Sequence, residues 1–274
     1  MTYSLWKSLY SLDNGWGAGS HSFNYALVSD PGDIFYLDEN NQPYYYWYQE
    51  GDREGDLIPD FIGFLSSDSY APFAPGEEIA LRSILGDEHA GEAINFSRVS
   101  FTDVLLGVSF TASSVASSEF IFGKADLINQ GLAGVANSEN ITTTAGDVWI
   151  DTSVSVAIPS EEGWTTLMHE IGHAFGLDHP TSAAIDNQKY TIMSTNAHSD
   201  VSGVFPVTLQ LYDIAALQEI YGTRDYDTRF DANTYKLGSG LTPYPADEAD
   251  PFIYTIWDGD GFDKISCSFV VSIW

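Results

Sequence analysis

The chain has 274 residues, 44% of them hydrophobic and 14% aromatic, which is enough apolar material for a packed core and excludes an intrinsically disordered chain. Thirty-nine acidic residues stand against ten basic ones, a formal net charge of −29 that repels phosphate backbones and anionic membranes and excludes nucleic acid as an expected partner. The single cysteine, Cys267, excludes an intrachain disulfide, and no run approaches the roughly 20 apolar residues of a membrane helix. The excess carboxylate suits a solvated surface or an oxygen-loving cation such as calcium, and charge alone does not choose between them.

The N-terminal MTYSLWKSLYSLDNGWG has no basic segment followed by an apolar run, so no N-terminal secretory signal is expected in this sequence. From His21 to Val28, Phe23, Tyr25 and Leu27 alternate as in a half-buried strand. Two aromatic runs then flank Glu39-Asn40-Asn41-Gln42 and predict a hairpin with a polar turn. The run Tyr44 to Tyr48 fits cross-strand pairing, with ligand binding as the alternative. From Pro75 the period changes: Glu77 and Glu78 occupy a first turn, and Leu81, Ile84 and Leu85 form the stripe of an amphipathic helix.

Short strands are expected at 95–102, 104–111, 119–124, 131–136 and 147–151, separated by Ser, Gly, Asn and Thr clusters. A second helix should open near Ser160 with Glu161 and Glu162 in its first turn, and end at Gly176. A third should run from about Pro206 to Tyr221, stopped by Gly222. Sheet and helix alternate, so the class is mixed α/β (α+β). An Asp- and Gly-rich tail follows, and the expected division is a domain over 1–222 and a smaller module over 223–274.

The chemistry concentrates in His169-Glu170-Ile171-Gly172-His173-Ala174-Phe175-Gly176-Leu177-Asp178-His179. Histidines four apart on a helix sit about 40° apart and one turn above each other, so both imidazoles reach one ion. Glu170, about 100° round from His169, comes beside the metal's water rather than onto the metal. Gly176 lets the chain turn back so that His179 supplies a third nitrogen. A zinc ion (Zn2+) on three neutral imidazoles keeps its charge and an open position for water, and Glu170 would take that water's proton during attack on a peptide carbonyl. On the same helix Leu167, Ile171 and Phe175 form a stripe turned about 200° from the histidines, which anchors one face in the core while the other faces a cleft. His21, His89 and His198 lack this spacing and are assigned packing or surface roles.

This segment matches the zinc motif of the metzincins, and its surroundings resemble the serralysins, secreted bacterial zinc metalloproteases. The likeness covers roughly 76 to 266 and includes Gly146-Asp147-Val148-Trp149-Ile150, Pro180 after the third histidine, and Tyr212-Asp213-Ile214-Ala215-Ala216-Leu217-Gln218 with Tyr221-Gly222. The resemblance implies a zincin fold with a twisted mixed sheet, a helix under the cleft, and a methionine turn, Thr191-Ile192-Met193-Ser194, with Met193 as the apolar floor. It departs from the family at Thr195, where serralysins carry a tyrosine that can ligate zinc; Tyr190, on the other side of the methionine, is given no such role.

Asp258-Gly259-Asp260-Gly261-Phe262-Asp263, preceded by Trp257, nearly matches the GGxGxDxUx repeat of a calcium-binding β-roll, and the resemblance places Asp258, Asp260 and Asp263 as ligands of Ca2+. The alternative is a plain Asp-Gly turn. No further repeats follow before Trp274, so the expected roll is either removed or vestigial. The expectation is a monomeric, secreted zinc endopeptidase acting on protein or peptide substrates, with no membrane insertion and with type I export in the manner of serralysins. Substrate is expected to pair with a sheet edge at Gly131 to Ala136. The alternatives are a catalytically silent zinc- and calcium-binding adhesion module and a matrixin-like metalloprotease.

Overall fold

Alternating Phe23 and Tyr25 do form a strand, β1 (His21–Leu27), flanked on both sides by parallel neighbours, β6 (Val108–Ala112) and β7 (Phe120–Ala125). A parallel strand covered on both faces buries both sets of side chains, so Ala26 and Val28 are as hidden as Phe23 and Tyr25. The computed structural model describes residues 21–29, 36–37, 43–48, 61–66, 70–86, 100–105, 108–127, 131–137, 146–159, 161–222, 232, 234–238, 253–258 and 261–268.

Among the described residues the main sheet has six strands in the order β6-β1-β7-β9-β8, with β9 (Asp147–Asp151) parallel to β7 and β8 (Gly134–Ala136) antiparallel to β9. β5 (Tyr70–Ala71) pairs antiparallel with the end of β7. All five residues of β9 are buried. Among the described residues the edge on that side is the antiparallel β8, three residues of small or β-branched type that line the cleft described below. The sheet thus has the mixed topology that the resemblance implies.

The aromatic runs also pair: β2 (Tyr36–Leu37), β3 (Pro43–Tyr48) and β4 (Phe61–Ser66) form an antiparallel three-stranded sheet, with Tyr36 opposite Tyr44. The polar turn expected at Glu39 to Gln42, the serine cap at Ser160 and His89 lie outside the described residues. In the tail, β10 (Thr234–Gly238) and β11 (Lys264–Ser268) pair in parallel.

Helix α1 (Pro75–Leu85) buries Ala80, Leu81, Ile84 and Leu85, the expected stripe, and Glu77 with them. Glu77 is not a solvated first-turn carboxylate. Its Oε2 accepts from the Ala74 amide at 2.9 Å, and its Oε1 accepts from Lys124 Nζ at 2.7 Å and the Val156 amide at 3.3 Å. Lys124 also donates to the Val154 carbonyl at 2.8 Å, so one buried ion pair ties α1, β7 and the loop leading toward the second long helix.

Two expectations are corrected. Residues 95–99 of the strand expected over 95–102 lie outside the described residues, and its end is helical instead: Ser100 caps a short helix, α2 (Phe101–Val104), accepting from the Asp103 amide while Asp103 accepts from the Ser100 amide. This reciprocal cap satisfies two orphan amides and outweighs the strand preference of Phe101 and Val104, so β6 starts only at Val108. The third long helix, α4 (Leu211–Tyr221), begins five residues later than Pro206. Residues 205–208 are instead engaged with the tail: Val207 donates to the Ile253 carbonyl at 3.0 Å, and Thr255 donates to Thr208 Oγ1 at 2.9 Å.

Asp213 sits at the start of α4 and is wholly buried. Its carboxylate accepts from the Gln210 amide at 2.8 Å, the Ile192 amide at 2.9 Å and the Thr191 hydroxyl, so one side chain both caps α4 and holds the turn that contains Met193.

Removing either anchor should be measurable. Lys124→Met leaves Glu77 without its cation in a site where both side chains are 7% exposed, and should lower stability by about 3–5 kcal/mol in guanidinium unfolding. Asp213→Asn keeps the shape but turns a donor toward one of three donors, and should cost about 1–3 kcal/mol in the same measurement.

Candidate metal centre and its cleft

The metal motif lies on α3 (Glu162–Ala174) and the turn that follows it. Leu167, Ile171 and Phe175 are fully buried, as the stripe predicts. Phe175 is the hub of an aromatic cluster, stacked on Phe101 at 4.9 Å and Phe120 at 5.1 Å between ring centres and edge-on to Phe23 and Tyr221. At its other end the helix hangs on the 206–207 segment, with Trp164 Nε1 donating to the Val207 carbonyl at 3.0 Å and the Thr165 hydroxyl to the Pro206 carbonyl at 2.8 Å. Both ends are fixed, and the face between them is turned to the cleft.

The helix ends in a Schellman turn. Gly176 has φ of 89°, its amide donates to the His173 carbonyl at 2.8 Å, and the Leu177 amide donates to the Gly172 carbonyl at 2.9 Å. The chain reverses there and brings His179 back over the helix. The same turn points the Leu177 carbonyl at His173 Nδ1, 2.6 Å away, while His169 Nδ1 lies 2.8 Å from the Ile192 carbonyl. A carbonyl only accepts, so each Nδ1 carries the proton and each Nε2 is left with a lone pair.

Those lone pairs meet. Nε2 of His169 is 3.1 Å from Nε2 of His179 and 3.1 Å from Nε2 of His173, and the latter two are 3.3 Å apart. With Nδ1 protonated on His169 and His173, their Nε2 lone pairs face each other and Nε2 of His179, an arrangement that suits a shared cation. Tetrahedral zinc with Zn–N bonds of about 2.0–2.1 Å needs nitrogens about 3.3–3.4 Å apart, so the triangle fits zinc. Burial lowers the pKa of His169 to about 4 and that of His173 well below the usual imidazole value, so both are neutral as ligands must be. No carboxylate joins this group among the described residues, which leaves the ligand count at three and a fourth position facing the cleft.

Glu170 is buried, 6% exposed, and lines the same cleft. Desolvation pushes its carboxyl up to about 8; a bound divalent cation nearby would pull it down again. It packs against β8: a Cβ added to Gly134 would lie 2.7 Å from Glu170 Cγ and 2.9 Å from Oε1. Met193 is fully buried under the helix, its Sδ 2.6 Å from the place where a Cβ on Gly172 would stand.

The cleft has a volume of about 370 Å³. One wall is residues 131–136, including β8; another is Gln188, Ile192, Ser194 and Thr195; α3 forms the floor with Glu162, Thr165 and Thr166. Thr195, where the resemblance would place a tyrosine, is exposed on this wall, and Tyr190 packs instead beside Tyr212 with ring centres 5.9 Å apart. His21 stacks on Phe23, and His198 accepts from the Asp200 amide, so both have the packing and surface roles expected of them. Of the tail aspartates, Asp258 is half-buried, Asp263 is exposed, and Asp260 lies outside the described residues. What sequence reasoning missed is Asp213 as the clamp on the methionine turn and Gln188 in the cleft wall; the capping spacing Gln210-x-x-Asp213 was the available signal for the first.

Residues 93–207 match the family model Reprolysin_5, metallo-peptidase family M12. The chain is 27% identical over 253 residues to a protein named serralysin from Photorhabdus sp. (strain Az29), covering 82% of this chain and 51% of that protein. It is 28% identical over 220 residues to serralysin of Proteus mirabilis, covering 67% and 44%, and 31% identical over 131 residues to metallopeptidase AprA of Pseudomonas marginalis, covering 39% and 27%. The chain thus spans about half the length, or less, of the curated relatives it matches. No helix among the described residues is long and apolar enough to cross a membrane. By the M12 match over its central segment, by these relatives and by its histidine triad, this chain resembles the serralysin-type metzincin metallopeptidases.

Proposed function

We propose that the chain is a zinc-dependent endopeptidase that hydrolyses peptide bonds of protein substrates outside the cell. The observation that carries this reading is the triangle of three Nε2 atoms beside a buried glutamate, opening into a cleft bounded by a sheet edge. His169, His173 and His179 would hold the metal through Nε2, with their Nδ1 protons engaged for His169 and His173 by the Ile192 and Leu177 carbonyls. When bound, zinc supplies a Lewis acid for water and for the scissile carbonyl.

The chain's own residues do the rest. Glu170, held in place by burial against β8, accepts the proton of the attacking water and returns it to the departing amine. A substrate strand would add antiparallel to β8, whose outer backbone groups face the cleft, and main-chain pairing would hold the scissile bond over the triad. Met193 closes the floor of the site and Gly176 makes the bend that brings in His179. In the absence of a tyrosine at position 195, oxyanion stabilisation falls to the metal and to backbone donors.

The same reading divides the chain into a catalytic domain over 1–222 and a module over 223–274, with Asp258, Asp260 and Asp263 as ligands of Ca2+. The parallel pairing of β10 with β11 on either side of the aspartates supports it, as does the packing of Trp257 on the main core, which would link ion binding to the stability of the whole. Secretion, in the manner implied by the serralysin resemblance, completes the proposal.

Glu170→Ala should retain zinc by metal analysis and lose casein cleavage by at least about 10²-fold. Equal turnover by variant and wild type would remove the mechanism; bound zinc with no turnover in either would favour the silent adhesion module. A calcium-selective chelator should lower the melting temperature, and an unchanged transition would dismiss calcium in the tail.

A further inference from the structure

One glycine on the cleft edge stands where the backbone does not call for it. Gly134 opens β8 in an extended conformation, outside the left-handed region that favours glycine, and a glycine within a strand gives up both packing and conformational entropy. What requires it is space. A Cβ on Gly134 would stand 2.7 Å from Glu170 Cγ, 2.9 Å from Oε1 and 3.0 Å from Cδ, and these are the three nearest atoms it would meet. The next residue, Val135, belongs to the separate cluster around Trp149 and does not share this contact.

Nothing polar fixes the Glu170 carboxyl group: among the described residues no hydrogen bond reaches it. Its place is set by packing between α3 and β8. The triad is held from other elements, by the Ile192 and Leu177 carbonyls and by the turn at Gly176.

Gly134 also belongs to the edge that would receive a substrate. The Ala133 carbonyl accepts from the Asp151 amide at 2.9 Å, and the Asn137 amide donates to the Asp147 carbonyl at 2.9 Å. With Gly134 opposite Ile150 and Ala136 opposite Val148, the alternation of an antiparallel ladder turns the backbone groups of Val135 toward β9 and those of Gly134 and Ala136 outward. A side chain at 134 would project out of the sheet toward Glu170 and not along that edge, so it would leave main-chain pairing in place.

We propose that Gly134 is a positioning residue for the general base: its missing side chain leaves the space in which the Glu170 carboxylate stands, and the strand that carries it sets how far that carboxylate reaches into the cleft. An alanine at 134 suits the strand conformation and displaces the carboxylate, because the end of a side chain yields before a backbone tied to β9 does. This rests on the peptidase reading, in which Glu170 takes the proton of the attacking water. Displacing a reacting group by about 1 Å is enough to cost about 10²-fold in rate.

The test is a double-mutant cycle of Gly134→Ala and Glu170→Ala in the zinc-loaded full chain, following turnover of a quenched fluorescent peptide, zinc content and thermal unfolding. Gly134→Ala should keep its zinc and lose about 10²-fold in kcat, with KM within about twofold of wild type. In the Glu170→Ala background the added methyl group meets no glutamate, and the same substitution should raise the melting temperature by about 2 °C, a gain that should be absent when Glu170 is present. Full turnover in Gly134→Ala, or a loss carried by KM alone, overturns the proposal and leaves the peptidase reading intact. An equal shift of melting temperature in both backgrounds also overturns it, since the glycine would then serve the strand and not the glutamate. If Gly134→Ala fails to fold, folding of the double variant assigns the clash to Glu170 and supports the proposal, and failure of both overturns it. A zinc-loaded wild type that cleaves nothing removes the peptidase reading and this proposal with it.

Discussion

Everything at the metal centre depends on how α3 ends. With Gly176 at φ of 89°, two hydrogen bonds close the helix and one carbonyl is redirected, and that single reversal has three effects at once. It returns the chain so that His179 reaches the helical pair, it places the Leu177 carbonyl on His173 Nδ1, and it buries Phe175 among the aromatic rings below the sheet. A residue with a Cβ would be strained in this conformation, and all three effects would loosen together.

The second requirement is that the opposite side of the triad be equally rigid. His169 is oriented by the Ile192 carbonyl, and Ile192 is held by Asp213, which also caps α4. Tyr221, at the far end of α4, donates to the Phe175 carbonyl at 2.8 Å. The last helix therefore grips both the methionine turn and the end of the metal helix. A remote capping residue becomes part of the positioning of a ligand, through a chain of two buried hydrogen bonds.

The cleft combines unlike walls. β8 offers backbone groups with small side chains, suited to any extended peptide, whereas the wall of 188–195 offers side chains. Between them lies Glu170, whose burial raises its proton affinity and which packs against Gly134. In the proposed function, general binding and chemistry would fall to different elements of one site.

Much of this was legible in residue order, because the decisive features are local. The spacing of His169, Glu170 and His173 follows from 3.6 residues per turn, the stripe of Leu167, Ile171 and Phe175 fixes which face is buried, and Gly176 marks the reversal. β1, β7, β9 and α1 were likewise written in short periodic runs. Where local signals competed, the sequence was ambiguous: at Ser100 a capping interaction outweighed strand preference, and at 206–210 pairing with the tail displaced the start of α4. Only the tertiary structure decided that Glu77 meets Lys124 across 47 residues, that Asp213 clamps the methionine turn, and that Gln188 is buried unpaired in a wall of the cleft. The physical reason is common to all three: hydrogen-bond partners distant in the chain leave no periodicity, and burial is a property of what packs on top of a residue and not of the residue itself.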